Sequence, residues 1–342
     1  MLGLKGPLKA LVSEKFASAY NSKSLVFSDT RLTILRTSSE ISIQLRYCPA
    51  LAKKPIKSSD HDERLPKEKA FDPFDQPSAD LLVAAIPASR PSHNLVLNKY
   101  PVIRDHFILA TKENKPQTAL LEEDDLALTY ECLRSWKEND EQHQNSSLYA
   151  FFNSGEHSGA SQIHRHLQFL PVEAMKAGNE EEWDVLCASM TCPTHSSFPL
   201  LKNPRLPFLH FATHLNHLMT AQDIHQRYQM LLRAGLASIH NLPLDSLESV
   251  TISQNGKATF SYNLALTTNI MAIMPRRSES SSIPDVLDSS VAINGTILAG
   301  TMMVKAEDEW DRLREKPELV NRIFHDIGFP SNQHVINNKE SL

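Results

Sequence analysis

The chain has 342 residues, 41% hydrophobic and 22% charged, a soluble globular composition that allows a sizeable core and excludes a wholly disordered or fibrous chain. Its formal net charge of -5 argues against a general nucleic-acid binder, because phosphate backbones are held by clustered excess Lys and Arg; any phosphate recognition must be local. The four cysteines, Cys48, Cys132, Cys187 and Cys192, are too few and too irregular for a disulfide framework and read as reduced thiols.

The N-terminal "MLGLKGPLKALVSEKF" lacks an uninterrupted apolar segment followed by a small-residue cleavage site, and no stretch approaches the roughly 20 apolar residues that span a bilayer. A cytoplasmic location follows by default, with the nucleus also open. Leu8 to Ala19 carry apolar positions at helical spacing, and "RLTILRTSSEISIQLRYCP" alternates like two short strands. From Lys53 to Ser78 the chain is rich in Pro, Asp and Lys without periodicity, which predicts a long surface loop. "HNLVLNKYPVIRDHFILATKE" predicts two strands with a turn around Pro101 and Arg104 to His106.

"LEEDDLALTYECLRSWKEN" opens with acidic residues and sets Leu126, Tyr130, Leu133 and Trp136 on one helical face, the signature of an amphipathic helix. "SSLYAFFNSG" predicts a buried strand. In "SQIHRHLQFLPV" a second strand alternates Ile163, Arg165, Leu167 and Phe169 with His164, His166 and Gln168, so period two puts both histidines and the glutamine on one face. A Pro-rich run near residues 190 to 207 marks a junction. The second half predicts a strand at "FLHFATHL", a helix from Ala221 to Ala234, and two strands in "SYNLALTTNIMAIMPRR". It continues with a strand, turn and helix in "VAINGTILAGTMMVK", and helix through "DEWDRLREKPELVNRIF" until Gly328 and Pro330.

With only 10 glycines in the chain, the stretch "NSGEHSGASQIHRHLQFLP" places Gly155 and Gly159 just before His-x-His-x-Gln. Short side chains and exposed backbone N–H groups suit a concave anion site, and a neutral imidazole whose tautomer is held by a second group is a good nucleophile toward phosphorus. Gln168 adds an amide able to donate to a phosphate oxygen. A small-residue cradle feeding such a strand is the pattern expected for nucleotidyl transfer to histidine. Taken alone, the His pair also suits a metal, but no Asp or Glu follows at ligand spacing on the strand, and Cys187 and Cys192 with His195 lack the close Cys-x2-Cys spacing of zinc knuckles.

This segment resembles the active site of the histidine-triad superfamily, in the branch with His-x-His-x-Gln, and within it the fungal diadenosine tetraphosphate (Ap4A) phosphorylases, also called ATP adenylyltransferases. "LRYCPALAKKP", "LVLNKYPVIRDHFILATKE", "LPFLHFATHL", "SYNLALTTNIMAIMPR" and "INGTILAGTMMVK" resemble further signature blocks of that family, in order. The resemblance implies an α+β, histidine-triad-like fold: an antiparallel sheet with flanking helices, formed by an N-terminal region over 1–195 and a C-terminal region over 205–332 that make one compact unit.

It implies phosphorolysis of Ap4A to ATP and ADP, and the reverse, with His166 as nucleophile forming a covalent AMP-histidine, His164 orienting it and Gln168 contacting the transferred phosphate. Adenosine phosphosulfate is a further substrate known in the family. By the same resemblance the phosphate cradle maps to Asn153, Gly159, Ala160, Ser161 and Gln162. Further nucleotide contacts map to Lys54, Asn98 and Lys99, and to Asn294, Gly295, Thr296, Thr301 and Lys305 late in the chain. The implied partners are Ap4A, phosphate, ATP and ADP, with no nucleic acid and no membrane, and a monomer is expected. A divalent cation, Mg2+, is expected as the polyphosphate's counter-ion, and the sequence names no protein ligand for it. A sugar-phosphate uridylyltransferase sharing His-x-His-x-Gln, and a non-catalytic dinucleotide-binding protein, stand as alternatives.

Overall fold

The computed structural model describes residues 2–50, 71–137, 146–176, 183–195 and 197–331. In the first half the elements are α1 (Leu8–Asn21), β1 (Arg31–Arg36), β2 (Ser42–Tyr47), β3 (Leu82–Ile86), β4 (His93–Leu97), β5 (Phe107–Thr111), α2 (Glu123–Lys137), β6 (Leu148–Ser154), β7 (His166–Pro171) and α3 (Val172–Lys176). The second half adds β8 (Cys192–Pro193), β9 (Leu201–Lys202), β10 (Phe211–His214), α4 (Ala221–Ile239), β11 (Ser253–Gln254), β12 (Lys257–Ala258), β13 (Ser261–Leu266), β14 (Ile270–Arg276), β15 (Ser280–Ser281), β16 (Val291–Ala292), β17 (Thr301–Val304), α5 (Glu307–Glu315) and α6 (Leu319–Ile327).

Local chemistry explains most of these elements. α1 buries Leu8, Val12, Phe16 and Ala19 along one stripe. α2 begins with Glu123, Asp124 and Asp125 and ends with Arg134 and Lys137, each charge complementing the helix dipole. Thr220 and Asp223 form a reciprocal capping box at the start of α4. Two expectations are corrected. The C-terminal helical run is two helices, because Pro317 lacks an N–H and disfavours helical geometry in Lys316. "GTILAGTMMVK" is a 3-10 turn over Gly295–Ala299 followed by strand β17, since Gly300 in the left-handed region (φ 72°) ends the turn.

Ten strands form one antiparallel sheet in the order β3-β4-β5-β7-β6-β13-β14-β10-β9-β8. Its centre joins the two halves of the chain: β6 pairs with β13 from Ala150↔Leu266 to Ser154↔Tyr262. One face carries a core that includes Leu167, Phe169, Tyr262, Leu264 and the buried stripes of α1, α2 and α4. On the other face a second core, with Phe151, Ala265, Ala272 and Met274, packs against β1, β2, β17, α5 and α6. There β1, β2 and β17 make a three-stranded sheet in which β17 runs parallel to β2, pairing Thr301 with Gln44. Phe74, Ile108 and Ala110 form a third, small cluster. Register places Ala110 opposite His166 and Ile108 opposite Gln168, so the polar end of β7 lies on the face that carries this cluster. All four cysteines are free thiols, and no helix among the described residues is long and apolar enough to cross a membrane.

Candidate active site

β7 enters its ladder at His166, and its pairing with β6 runs from Leu148↔Pro171 only to Phe151↔Gln168. Beyond that point the strands are bridged by a side chain. Gln117, 3% exposed, accepts from the His166 amide through Oε1 (2.8 Å) and donates through Nε2 to the carbonyls of His166 (3.1 Å) and Asn153 (2.9 Å). The carboxamide stands in for a missing ladder residue, satisfies buried backbone groups and keeps β6 and β7 apart where the polar residues cluster. His166 and Gln168 share a strand face as period two predicts. His164 precedes the strand, in a single bridge to Pro116, yet its ring lies 5.7 Å and that of His166 5.0 Å from the same Phe74 ring. Ile163 points outward, 73% exposed.

The hydrogen bonds set the tautomers. His166 Nδ1 lies 2.8 Å from the His164 carbonyl, which only accepts, so Nδ1 carries the proton and Nε2 the lone pair. Nε2 has no hydrogen-bond partner among the described residues. Burial pushes this imidazole down to about 4, against the opposing pull of the His164 carbonyl, so the ring is neutral at physiological pH. Both ring nitrogens of His164 face oxygens: Nδ1 lies 2.7 Å from Asp72 Oδ2 and Nε2 2.7 Å from the Thr111 carbonyl. Burial pulls Asp72 upward, but the bonds from the Phe74 amide and His164 outweigh it and hold the carboxyl below its ordinary range. The result is a neutral imidazole with a directed lone pair, backed by a carbonyl whose residue is anchored at both ends of its ring.

Beside this pair the chain makes a concave loop. Gly155 (φ 88°) and Gly159 (φ 77°) flank the 3-10 turn Glu156–Ser158, and both occupy the left-handed half of backbone space that glycine adopts without strain. At Gly159 a Cβ would also sit 2.9 Å from the Ile293 carbonyl and from Asn294 Cβ, so the first half of the chain meets the second through this missing side chain. The amides of Ala160, Ser161 and Gln162 make no hydrogen bond among the described residues, which leaves donors for an anion.

Below the loop, Asn153 Oδ1 accepts from Asn263 Nδ2 (2.9 Å) and the Gly295 amide (2.8 Å), and Asn263 is held in turn by buried Arg276. Tyr149 fixes the Gly295 carbonyl at 2.5 Å. Asn294 caps its own turn by accepting from the Thr296 amide (3.0 Å), and the Thr296 hydroxyl donates to the Thr301 carbonyl (3.0 Å).

The structure thus brings together His164, His166, Asn153 and Gly159 with Asn294 and Gly295, and sets Thr296 one residue beyond. Gln168 lies two residues along the strand, with Oε1 3.1 Å from His106 Nε2, and Asn98 is hydrogen-bonded to the other side of that His106 ring. Lys99 is exposed, its ammonium 5.7 Å from the Tyr100 ring. Lys54 lies outside the described residues. The Thr301 side chain, 1% exposed, donates to Gln44 Oε1 at 3.0 Å, where β17 pairs with β2. The Lys305 side chain is exposed at the end of β17 with no contact to the cluster among the described residues.

Asp72, Phe74, His106, Gln117, Asn263 and Arg276 were not legible in advance, because each reaches the site from another strand or loop; only the Phe within the polar "DPFD" hinted at a buried anchor. No group of three or more His, Cys, Asp or Glu among the described residues is placed to hold a metal ion.

Residues 3–186 match the family described as the Ap4A phosphorylase N-terminal domain, and residues 204–330 the ATP adenylyltransferase C-terminal domain. Two proteins of Saccharomyces cerevisiae are similar along their whole length. Protein APA1 is 29% identical over 339 residues, covering 96% of this chain and 97% of that protein. Diadenosine 5',5'''-P1,P4-tetraphosphate phosphorylase 2 is 29% identical over 328 residues, covering 95% of each. The crystal structure of yeast Ap4A phosphorylase Apa2 superposes with a TM-score of 0.73 at 24% identity, over 96% of this chain and 99% of that one, and its complex with Ap4A gives 0.74; these matches establish the shared α+β, histidine-triad-like fold.

Proposed function

The chain belongs to the Ap4A phosphorylase family, and from that premise we propose that it is a nucleotidyltransferase that cleaves Ap4A with inorganic phosphate to ATP and ADP, and runs the reverse, through an adenylylated His166. The observation that carries this reading is the state of the His166 ring, neutral and holding its proton on Nδ1 against the His164 carbonyl, so that the Nε2 lone pair is free to attack. Nε2 forms a bond to an α-phosphorus of Ap4A as the bond to the bridging oxygen breaks, and ATP leaves as a stable polyphosphate anion. The imidazole gains positive charge in this step, which the His164 carbonyl at Nδ1 stabilises. An oxygen of inorganic phosphate then displaces His166 from the α-phosphorus and carries AMP away as ADP. Two displacements on one phosphorus replace a single difficult transfer.

The free amides of Ala160, Ser161 and Gln162, with Gly159, hold phosphate oxygens, and the Gln168 NH2 donates to an oxygen of the group in transfer. Asn153, Asn294, Gly295 and Thr296 shape the pocket where the two halves meet, and Asn98 and Lys99 lie on the nucleotide's approach; roles for Lys54 and Lys305 rest on the family likeness alone. A divalent cation travels with the polyphosphate and offsets its charge.

The reading is tested by incubating wild type and H166A with Ap4A, with and without phosphate, and separating the nucleotides by ion exchange. Equal ATP and ADP that require phosphate and vanish in H166A are expected. AMP-containing products without phosphate would mean hydrolysis, and exchange only with UDP-sugars a uridylyltransferase; either outcome overturns the assignment.

A further inference from the structure

We propose that His106 is a positioning residue that fixes which way the Gln168 carboxamide points, turning its NH2 and not its oxygen toward the phosphoryl group. This rests on the reading of Gln168 given above. The oxygen and nitrogen of a carboxamide are almost the same size, so the shape of a pocket does not distinguish the two orientations; hydrogen-bond partners do. The distinction matters because phosphoryl oxygens only accept. An NH2 turned toward them stabilises the charge of the transfer, whereas a carbonyl oxygen in the same place repels it.

The orientation follows from a chain of bonds that begins at a group with no choice. The Tyr100 main-chain amide can only donate, and it donates to Asn98 Oδ1 at 3.0 Å. Asn98 therefore presents its NH2 to His106 Nδ1, 3.0 Å away. An NH2 only donates, so Nδ1 is the bare nitrogen and the neutral ring carries its proton on Nε2. Nε2–H lies 3.1 Å from Gln168 Oε1 and occupies that oxygen, which leaves the Gln168 NH2 on the far side from His106. Each link forces the next, and reversing the last would set two donors against each other.

Backbone pairing places the chain where it acts. Asn98 and His106 continue the β4–β5 ladder one step past Leu97↔Phe107, with the Asn98 amide 3.0 Å from the His106 carbonyl. β5 is also the neighbour of β7, with Ile108 opposite Gln168, so His106 lies on the same face, two residues along. Asn98, which the family resemblance assigns to the nucleotide, thus reaches the phosphoryl group through His106 and Gln168.

The experiment combines a spectroscopic measurement with a mutant cycle. Long-range proton–nitrogen correlation on histidine-labelled protein without nucleotide should show His106 protonated on Nε2 and bare at Nδ1; a proton on Nδ1 overturns the inference. In kinetics with Ap4A and phosphate, H106L should lower kcat roughly tenfold or more, with KM changed much less, since the lost interaction acts on the group in transfer. H106Q, whose amide can donate to Gln168 Oε1, should recover most of that loss.

H106E has the same shape as H106Q but accepts where it should donate, turns Gln168 over, and should be at least as slow as H106L. In a Q168A background H106L should add no further loss, because there is no carboxamide left to orient. Additive losses, an H106L kcat within twofold of wild type, or equal rates for H106Q and H106E would each overturn the inference, and the last comparison still decides if H106L fails to fold. A wild type that transfers no adenylate at all would overturn the proposed reaction instead, while the nitrogen shifts still decide the tautomer.

Discussion

Lowering the pH separates His166 from an ordinary histidine. Burial holds its ring at about 4 rather than 6.5, so the attacking neutral form should persist well into the acid range. At pH 5.5 a ring titrating at 6.5 is about 9% neutral, whereas one titrating near 4 is about 97% neutral, an approximately tenfold difference in the reactive species. The assay is single-turnover adenylylation of the protein by Ap4A without phosphate, because free phosphate titrates near neutrality while the internal phosphates of Ap4A stay ionised. Followed as kcat/KM, this reports the ionisation of the free enzyme. The rate should be nearly flat from pH 8 to 5 and fall only toward pH 4. A loss of roughly tenfold by pH 5.5, with far-UV circular dichroism unchanged, would refute the argument that burial keeps this ring neutral against the pull of the His164 carbonyl.

The same burial carries a stability signature. His166 and His210 are both pushed down to about 4 by desolvation, so the unfolded chain binds more protons and stability is lost as pH falls from 6.5 toward 4. By pH 5 each ring costs about 2 kcal/mol, and H166A should lose about that much less than wild type between pH 7.5 and 5 in urea titrations; identical losses would contradict it. G295A would bring a Cβ to 2.7 Å from Phe151 Cδ2 and 2.8 Å from Asn153 Oδ1, breaking the Gly295–Asn153 bond. It should cost about 2–4 kcal/mol and lower Tm by several degrees, and an unchanged Tm would mean that the two halves are not locked there. D72N removes the charge that anchors His164 and should lower kcat about tenfold while costing less than about 1 kcal/mol of stability, since Asp72 is partly exposed; a kcat equal to wild type would detach Asp72 from catalysis.

Much of the chemistry of this chain is local and was readable as such. Period-two alternation around His166 and Gln168, helical stripes in α1 and α2, and glycines where a turn needs positive φ depend on neighbours a few residues away. For that reason the strand that carries His166 and Gln168, the glycine turn before it and most elements followed from the sequence. What the residues around His166 do to it was decided by register and burial. Pairing of β5 with β7 sets His106 against Gln168, pairing of β6 with β13 puts Asn263 on Asn153, and the parallel contact of β17 with β2 bonds Thr301 to Gln44. Asp72 and Phe74 come from a stretch that reads as polar loop, and Gln117 from a connection without periodicity. These residues are distant along the chain, so no window of sequence contains the bonds between them. A hydrogen-bond direction or a depressed imidazole is a property of an enclosed space, and that space exists only once the sheet has closed around it.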